Sequence, residues 1–193
     1  EMIGKIFRQR HSDGRTGEDF LQTLIDAKYK GGAPLSEHEI TGMLLAAMFA
    51  GHHTSSVTTA WTLLELLQNP AELALVRGEI DEHFGAGQQV TYQSLREVVH
   101  TERAVKEALR LHPPLFMLVR VAQQDFHYKD YLLPKGTWVL VSPTVSHRIE
   151  TEFHNADAFE PSRFAPPREE DKRDFAYVPF GGGRHKCMGN AFA

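Results

Sequence analysis

Cysteine is nearly absent from this sequence: its 193 residues include only Cys187, and there is no Cys-x-x-Cys pair. An internal disulfide is therefore excluded, and so is a zinc or redox site built on paired cysteines. A single thiol fits a reducing compartment. No signal peptide opens the sequence, and its longest apolar run, residues 43–50, is too short to span a bilayer.

An excess of positive charge is also missing. The formal net charge is -4 at pH 7, which argues against a general nucleic-acid binder. The composition is that of a soluble globular protein, with enough residues for one domain around its own core. Both ends look cut, because the sequence begins within a helical pattern, MIGKIF, and finishes at NAFA, where another helix starts.

Helical periodicity dominates the first 111 residues. A break at residues 11–17 predicts a loop, and helices are expected over residues 1–10, 18–29, 36–68, 70–84, 91–96 and 98–111. The third helix opens with a capping box, Ser36 and Glu39. It meets no break before Asn69-Pro70, so it should be roughly 50 Å long. Its middle, LLAAMFA, is apolar nearly all round, which predicts a central helix buried on all sides.

The pattern changes after Pro113-Pro114. FMLVRVA, FHYKDYLL and TWVLVSP predict short strands, with residues 134–136 as the turn between the last two. Residues 149–180 are rich in proline, phenylalanine and charge and show no period. An irregular stretch of that length usually has a function. The predicted fold class is mainly α with small β-sheets.

The lone cysteine lies in FGGGRHKCMG, residues 180–189. Glycines permit tight turns and leave amide groups free to point at the sulfur. Those amides, with Arg184 and Lys186 nearby, favour thiolate over thiol, and a single thiolate can hold haem iron. A lone buried cysteine beside a flexible loop is the alternative. A phosphate-binding loop is not expected, because the spacing G-x-x-x-x-G-K-[ST] is not met.

This decapeptide resembles the haem-binding loop of the cytochrome P-450 superfamily, F-x-x-G-x-R-x-C-x-G. His185 stands where most members carry an arginine that binds a haem propionate. The sterol 14α-demethylase branch is similar to this sequence in carrying G-R-H-x-C. Arg120, in L-V-R-V-A, resembles a second propionate partner. The resemblance implies haem b, with Cys187 as the axial ligand of its iron and with the cofactor-binding residues Cys187, His185, Arg120, Phe180, Gly181, Gly183 and Gly189.

Two further motifs agree with the superfamily in content and order. Glu107 and Arg110, in K-E-A-L-R, resemble the E-x-x-R of its helix K, and their spacing places them on one helix face. Arg163, in F-E-P-S-R-F, matches the third member of its Glu-Arg-Arg triad. The resemblance implies a buried triad that locks the irregular stretch under the haem. The pair alone also fits a solvated surface contact.

The long helix carries A-G-H-H-T-S-S, residues 50–56, which is similar to the oxygen-binding segment of helix I, A/G-G-x-D/E-T. Thr54 matches its alcohol. His53 stands in the place of its acid, where an imidazole can still relay protons. Hydroxyls in this segment can bond back to carbonyls and loosen the helix locally. The alternative for His52 and His53 is packing, and a metal pair is not expected because neighbours on a helix do not share a face.

The superfamily also implies an apolar pocket, although each of its residues fits ordinary core equally well. The residues expected to line it are Ala46, Phe49, Ala50, Leu115, Phe116, Met117 and Leu118. Arg184, His185 and Lys186 would supply positive charge near the propionates and on the face where an electron donor docks.

Taken in order, the motifs cover most of residues 36–193 and are most similar to bacterial-type sterol 14α-demethylases. The resemblance implies the carboxyl-terminal portion of the cytochrome P-450 fold: helix I, helix K, the meander and the cysteine loop. It implies monooxygenation, with three successive oxidations that release the 14α-methyl of a sterol as formate. Thr54 and His53 would deliver protons, and a ferredoxin or a reductase would supply electrons, ultimately from NAD(P)H. A cytoplasmic location is expected, with a membrane anchor left open.

Three alternatives stay open at the level of sequence. One is a monooxygenase of another lipid, terpenoid or steroid, and another is a haem-thiolate sensor or carrier without turnover. The third is a helical interaction domain without haem. Because members of the superfamily are roughly twice as long, residues 1–193 are expected to be a partial domain that lacks the amino-terminal half and the extreme carboxyl terminus. Its strands would then lack sheet partners, and its long helix would face water with a large apolar patch.

Overall fold

The computed structural model describes residues 2–14 and 17–191. It divides into two compact units, with the boundary between His53 and Thr54 inside the longest helix. The elements confirm a mainly helical chain with small antiparallel sheets. Residues 15 and 16 of the predicted loop, and the last two residues of NAFA, lie outside the described residues.

The first unit contains α1 (Met2–Asp13), α2 (Phe20–Asp26) and the beginning of α3 (Glu37–Gln68). α1 continues three residues beyond its predicted end. α2 begins later than predicted because Asp19 caps it, accepting the amide hydrogen of Gln22 at 2.9 Å, and it ends earlier because Ala27 is extended. Arg10 donates to both oxygens of the Asp19 carboxylate, at 2.7 and 2.5 Å, and this pairing lowers the pKa of Asp19 well below its usual range.

α3 is an unbroken α-helix of 32 residues. The predicted capping box forms, since Glu39 accepts the Ser36 amide hydrogen at 2.8 Å and Ser36 Oγ accepts that of Glu39 at 3.3 Å. The predicted burial on all sides is wrong: the Met48 side chain is 66% exposed and that of Phe49 is 76% exposed. An all-round apolar helix needs cover on several sides, and the described residues leave most of this one exposed.

The second unit contains the rest of α3, followed by α4 (Pro70–Phe84), α5 (Tyr92–Leu95) and α6 (Val99–Leu111). α6 is the helix most deeply buried in this unit, with Ala104, Ala108 and Leu111 in the core. Its first amides have a partner from α4, because Glu79 accepts hydrogens from the amides of residues 100 and 101, both at 2.8 Å. The carboxyl end of α6 lies close to the irregular region.

The strands pair with one another in two small sheets. β1 (Leu118–Val121) lies antiparallel to β4 (Trp138–Val141), and β2 (Phe126–Tyr128) lies antiparallel to β3 (Tyr131–Leu133). The expectation that the strands lack partners is therefore wrong, although each two-stranded sheet keeps two open edges. FHYKDYLL forms a hairpin instead of one strand, because Lys129 adopts a left-handed φ of 52° at its turn.

The described residues after β4 are irregular apart from the short α7 (Pro143–Ser146) and single 3₁₀ turns at Pro161–Phe164, Glu170–Lys172, Gly183–His185 and Met188–Ala191. Residues 149–180, predicted to be irregular, contain only the first two of these turns. A small apolar cluster of Phe153, Ala156 and Ala176 lies in this region, with Tyr177 packed against it. Among the described residues no helix is long and apolar enough to cross a membrane.

Candidate functional site

Cys187 lies at the end of a tight turn and its side chain is exposed. Its amide donates to the carbonyl oxygen of Phe180 at 2.9 Å, which closes the loop around the glycines. Gly181 and Gly183 adopt φ values of 70° and 66°, a left-handed conformation that residues with a Cβ rarely take. These two glycines are therefore required for the path that presents the sulfur.

Gly189 is the glycine that lies beside the sulfur of Cys187. A Cβ added at Gly189 would lie 3.7 Å from Cys187 Sγ, in ordinary van der Waals contact, so the glycine leaves the sulfur without this neighbour. No group of three or more histidine, cysteine or acidic side chains that could hold a metal ion occurs within the described ranges. A metal held through the single sulfur, with the remaining ligands supplied by a cofactor, agrees with that donor set.

The structure brings Glu107, Arg110 and Arg163 together, and all three side chains are 0% exposed. Arg110 Nε and Arg163 Nε each donate to the Glu107 carboxylate at 2.8 Å. The Glu160 amide donates to Glu107 Oε1 at 2.9 Å. A buried carboxylate is stable only when it is paired and bonded in this way.

The two guanidinium groups also hold the irregular backbone. Arg110 donates to the carbonyl oxygens of residues 147, 156 and 158 at 2.7, 2.6 and 3.0 Å. Arg163 donates to those of residues 154, 155 and 158 at 2.8, 3.3 and 3.2 Å. Each guanidinium thereby makes the five hydrogen bonds its donors allow. Carbonyl groups that have no helix or sheet partner are satisfied by two side chains, which explains how a stretch without periodicity stays ordered.

Sequence reasoning missed the outer members of this cluster. Glu170, 3% exposed, accepts from Arg163 Nη1 at 2.8 Å and from Arg168 Nε at 3.0 Å. Arg168 Nη1 in turn donates to the Glu160 carboxylate at 2.6 Å. Three carboxylates and three guanidinium groups thus balance in charge. Nothing in the charged run EEDKRD distinguishes Glu170 from its neighbours, so the sequence held no signal for its burial.

A buried histidine was missed as well. His147 is 0% exposed, and its ring nitrogens contact the Arg110 carbonyl oxygen and the Val178 amide. Tyr177 stacks on the ring, with centroids 5.3 Å apart, and donates its hydroxyl hydrogen to the Lys106 carbonyl oxygen at 2.9 Å. A lone histidine in S-H-R carries no periodic or motif signal.

The predicted proton-delivery residues, Thr54 and His53, are consecutive on α3. Hydroxyl back-bonding is present just beyond them: Thr58 Oγ1 donates to the Thr54 carbonyl oxygen at 2.9 Å, and Thr59 Oγ1 donates to that of Ser55 at 2.9 Å. The helix nevertheless stays α-helical throughout, so the expected local loosening is not present. Each hydroxyl donates to a carbonyl oxygen that also accepts a backbone amide hydrogen of the helix, so the backbone hydrogen bonds of α3 remain in place.

The predicted propionate partners Arg120 and His185 both lie on the surface. Arg120 lies in β1, opposite Val139, and its guanidinium donates to the Val119 carbonyl oxygen at 2.8 Å. His185 lies in the exposed 3₁₀ turn of the cysteine loop. Leu118 packs on that loop, with Cδ1 3.7 Å from the position of a Cβ at Gly181.

The remaining predicted pocket residues are divided between the two units. Ala46, Phe49 and Ala50 belong to the first unit, and Leu115, Phe116 and Met117 belong to the second. All six are exposed. Their grouping around a substrate stays a prediction.

The family model for cytochrome P450 matches residues 1–193, so the chain belongs to the cytochrome P450 family. This membership implies a haem cofactor, in agreement with the exposed sulfur on its glycine turn.

Several curated relatives are named for sterol demethylation. The chain is 45% identical to a sterol 14alpha-demethylase of Mycolicibacterium vanbaalenii over 93% of this chain and 40% of that protein. It is 43% identical to an obtusifoliol 14-alpha demethylase of Sorghum bicolor over 100% of this chain and 41% of that protein. It is 37% identical to a lanosterol 14-alpha demethylase of Mus musculus over 98% of this chain and 38% of that protein. The chain therefore spans about two fifths of the length of these relatives.

Among solved structures, the chain is similar to a cyanobacterial CYP120A1 with bound retinoic acid. The TM-score is 0.87 at 29% sequence identity, over 99% of this chain and 44% of that one. The mainly helical fold with small sheets is thus the cytochrome P450 fold.

Proposed function

We propose that the chain forms the haem-thiolate part of a monooxygenase that removes the 14α-methyl group of a sterol. The observation that carries the proposal is the exposed sulfur of Cys187 at the end of a turn built on left-handed glycines. The likeness to sterol demethylases from bacteria, plants and a mammal supports the substrate class. The whole protein's activity, substrate and electron donor are part of this proposal.

Haem b, bound through Cys187, would activate dioxygen, and the thiolate would favour O–O cleavage by donating electron density. The chain's own residues hold and shape that site. Arg120 and His185 are the proposed partners of the two propionates, because both carry donor nitrogens on exposed surface. Gly181, Gly183 and Gly189 keep the backbone close without a Cβ in the way, and Phe180 closes the loop through its carbonyl oxygen.

Proton delivery is proposed for Thr54 and His53. A hydroxyl can donate its proton to a reacting oxygen and regain one from a neighbouring imidazole, which can both give and accept a proton. Each oxidation consumes one dioxygen, two electrons and two protons. The first leaves an alcohol and one water, the second an aldehyde and two waters, and the third releases one water. The carbon–carbon bond is broken in the third oxidation, which places the methyl carbon in formate and leaves a ring double bond. A ferredoxin or a reductase is the proposed source of the electrons.

The test uses the full-length protein with haem, a reducing system and a sterol that bears a 14α-methyl group. The expected products are a 14-demethylated sterol and formate in equal amounts. The same sterol without the 14α-methyl should yield no formate. Hydroxylated lipid without formate would favour a monooxygenase of another lipid, terpenoid or steroid. Haem binding without any turnover would favour a sensor or carrier.

A further inference from the structure

His147 is a fully buried histidine that the proposed chemistry does not use. It follows α7, and its two ring nitrogens contact two separate backbone segments. Nδ1 lies 3.1 Å from the carbonyl oxygen of Arg110, at the end of α6. Nε2 lies 2.9 Å from the amide nitrogen of Val178, which leads into the cysteine loop.

These contacts fix the position of the ring proton. A carbonyl oxygen only accepts, so Nδ1 carries the hydrogen. A backbone amide only donates, so Nε2 presents its lone pair to Val178. The neutral ring with its hydrogen on Nδ1 is therefore the form that satisfies both neighbours.

The α6 side of this bridge is held firmly. The Arg110 carbonyl is one of the last four of the helix, which have no partner within it, and His147 supplies one. Arg148 supplies the next, donating to the Leu111 carbonyl oxygen at 3.0 Å. In return Arg110 Nη1 donates to the His147 carbonyl oxygen at 2.7 Å. The histidine is thus tied in both directions to the buried cluster around Glu107.

On its other side, the bridge is connected to the cysteine through two further backbone hydrogen bonds. The Val178 carbonyl oxygen accepts the amide hydrogen of Gly181 at 3.0 Å, which forms a turn. Phe180 lies within that turn, and its carbonyl oxygen accepts the Cys187 amide hydrogen at 2.9 Å. A fixed Val178 amide therefore fixes the start of the loop that carries the sulfur.

We propose that His147 is a positioning residue for the cysteine loop, which it holds in register with the buried end of α6 through the Val178 amide. Its consequence for iron ligation rests on the proposed function, whereas the backbone bridge itself does not require haem. Without the bridge, the loop would sample other positions, and a larger share of the bound haem would lack a well-placed thiolate.

The test compares His147→Gln with His147→Asn in the full-length protein. The amide oxygen of glutamine reaches as far as Nε2 and keeps an acceptor for Val178. Asparagine ends near the level of Nδ1, so it keeps a donor for the Arg110 carbonyl but loses Val178. The matched control is His154→Gln, since the His154 side chain is 86% exposed. Two quantities are measured. One is the rate of hydrogen exchange at the Val178 amide in haem-free protein. The other is the thiolate share, the fraction of bound haem that shows the red-shifted thiolate band in the reduced, carbon-monoxide-bound protein.

The expected result is that His147→Asn speeds exchange at Val178 about tenfold, the equivalent of one lost hydrogen bond, and lowers the thiolate share. His147→Gln and His154→Gln should stay near the unaltered protein in both measurements. Equal exchange in His147→Asn and the unaltered protein would overturn the bridge. Faster exchange with an unchanged thiolate share would overturn its role in ligation.

The unaltered protein gives a second test that does not depend on the variants folding. Nitrogen-15 NMR of haem-free protein should find the His147 proton on Nδ1, and a proton on Nε2 would overturn the proposal. A missing thiolate band in the unaltered, haem-loaded protein would contradict the proposed function instead. The exchange and tautomer results would then still decide the bridge.

Discussion

Cys187 and His147 must both be in the less protonated of their two forms. The cysteine must lose its proton to bind iron, since the thiolate is the ligand form. The histidine must not gain one, since its Nε2 accepts the Val178 amide hydrogen. Burial of the imidazole agrees with the requirement on the histidine, and exposure leaves the sulfur accessible to a ligand.

The buried state of His147 predicts a pH dependence of stability. Burial lowers its pKa from 6.5 to about 4; the bond to the Arg110 carbonyl acts the other way, and the charges of Arg110 and Arg148 lower it further. Between pH 4 and 6.5 the unfolded chain binds more protons at this residue, so unfolding becomes easier as the pH falls. The loss should be about 3 kcal/mol over that interval.

Denaturant unfolding from pH 7 to pH 4 measures this loss. His147→Gln cannot titrate, so its unfolding free energy should fall by about 3 kcal/mol less than that of the unaltered protein over the same interval. Tyr177 stacks on the ring and stays neutral throughout, because burial raises its pKa well above 10. Identical pH profiles for the two proteins would contradict the assigned neutral state.

Thr54 gives a second prediction for a single side chain. Thr54→Ala should leave haem binding intact and divert reducing equivalents to peroxide, because the reacting oxygen loses a donor. Thr59→Ala is the matched control, since its hydroxyl donates to the Ser55 carbonyl oxygen on the same helix. Electron consumption, product and peroxide are measured together. An unchanged ratio of product to electrons in Thr54→Ala would argue against proton delivery.

At the scale of elements, the helices were largely predictable from the sequence. α4 and α6 match their predicted spans within one residue, because proline at the start and the end of a periodic pattern fixes the boundaries. The hairpin β2–β3 was not predictable, because its turn has Lys129 in a left-handed conformation instead of glycine. The loop predicted at residues 11–17 begins later than expected, because no helix-breaking residue lies between residue 11 and Gly14 and α1 continues to Asp13.

The candidate site was predictable only where a motif names its residues. Glu107, Arg110 and Arg163 are found from spacing and family likeness, and the structure places them in one cluster. His147 and Glu170 join them through contacts with residues distant in sequence, a kind of information that periodicity and local spacing do not contain. The prediction that α3 is buried failed for a related reason. Composition shows that an apolar helix needs neighbours to cover it, but it does not show which residues provide that cover.

The cluster that joins α6 to the irregular region predicts non-additive losses. Glu107→Ala, Arg110→Ala and Arg163→Ala should each abolish haem incorporation, because each leaves a buried charge unpaired at a cost of about 3–5 kcal/mol. A double change should add little, since members of one network fail together. Haem content per chain and unfolding free energy are the measurements.

A charge-conserving change makes the same test sharper. Arg163→Lys keeps the charge and loses the fork that donates to Glu107, Glu170 and the backbone, so it should fail nearly as badly as alanine. Arg173→Lys is the control, because Arg173 is partly exposed and bonds to two carbonyl oxygens at 3.0 and 2.6 Å. Mild and additive losses across the set would indicate independent surface pairs.

For the whole molecule, the 193-residue chain alone is expected to be marginally stable, to retain haem poorly and to show no sterol turnover. In the first unit Met48 and Phe49 are largely exposed, and in the second Leu67 and Trp138 are 67% and 70% exposed. Apolar surface of this kind favours association over folding in isolation. Haem per chain and thermal unfolding of the isolated chain test this. A soluble monomer with one tightly held haem and a cooperative transition would contradict it.

The central claim is that Cys187 holds haem iron as a thiolate, and the absorption spectrum of the reduced, carbon-monoxide-bound full-length protein tests it most directly. The account predicts the red-shifted thiolate band in the unaltered protein and its loss in Cys187→Ser, with haem still detectable. A band that persists in Cys187→Ser, or an unaltered protein that binds haem and never shows the band, would contradict the claim.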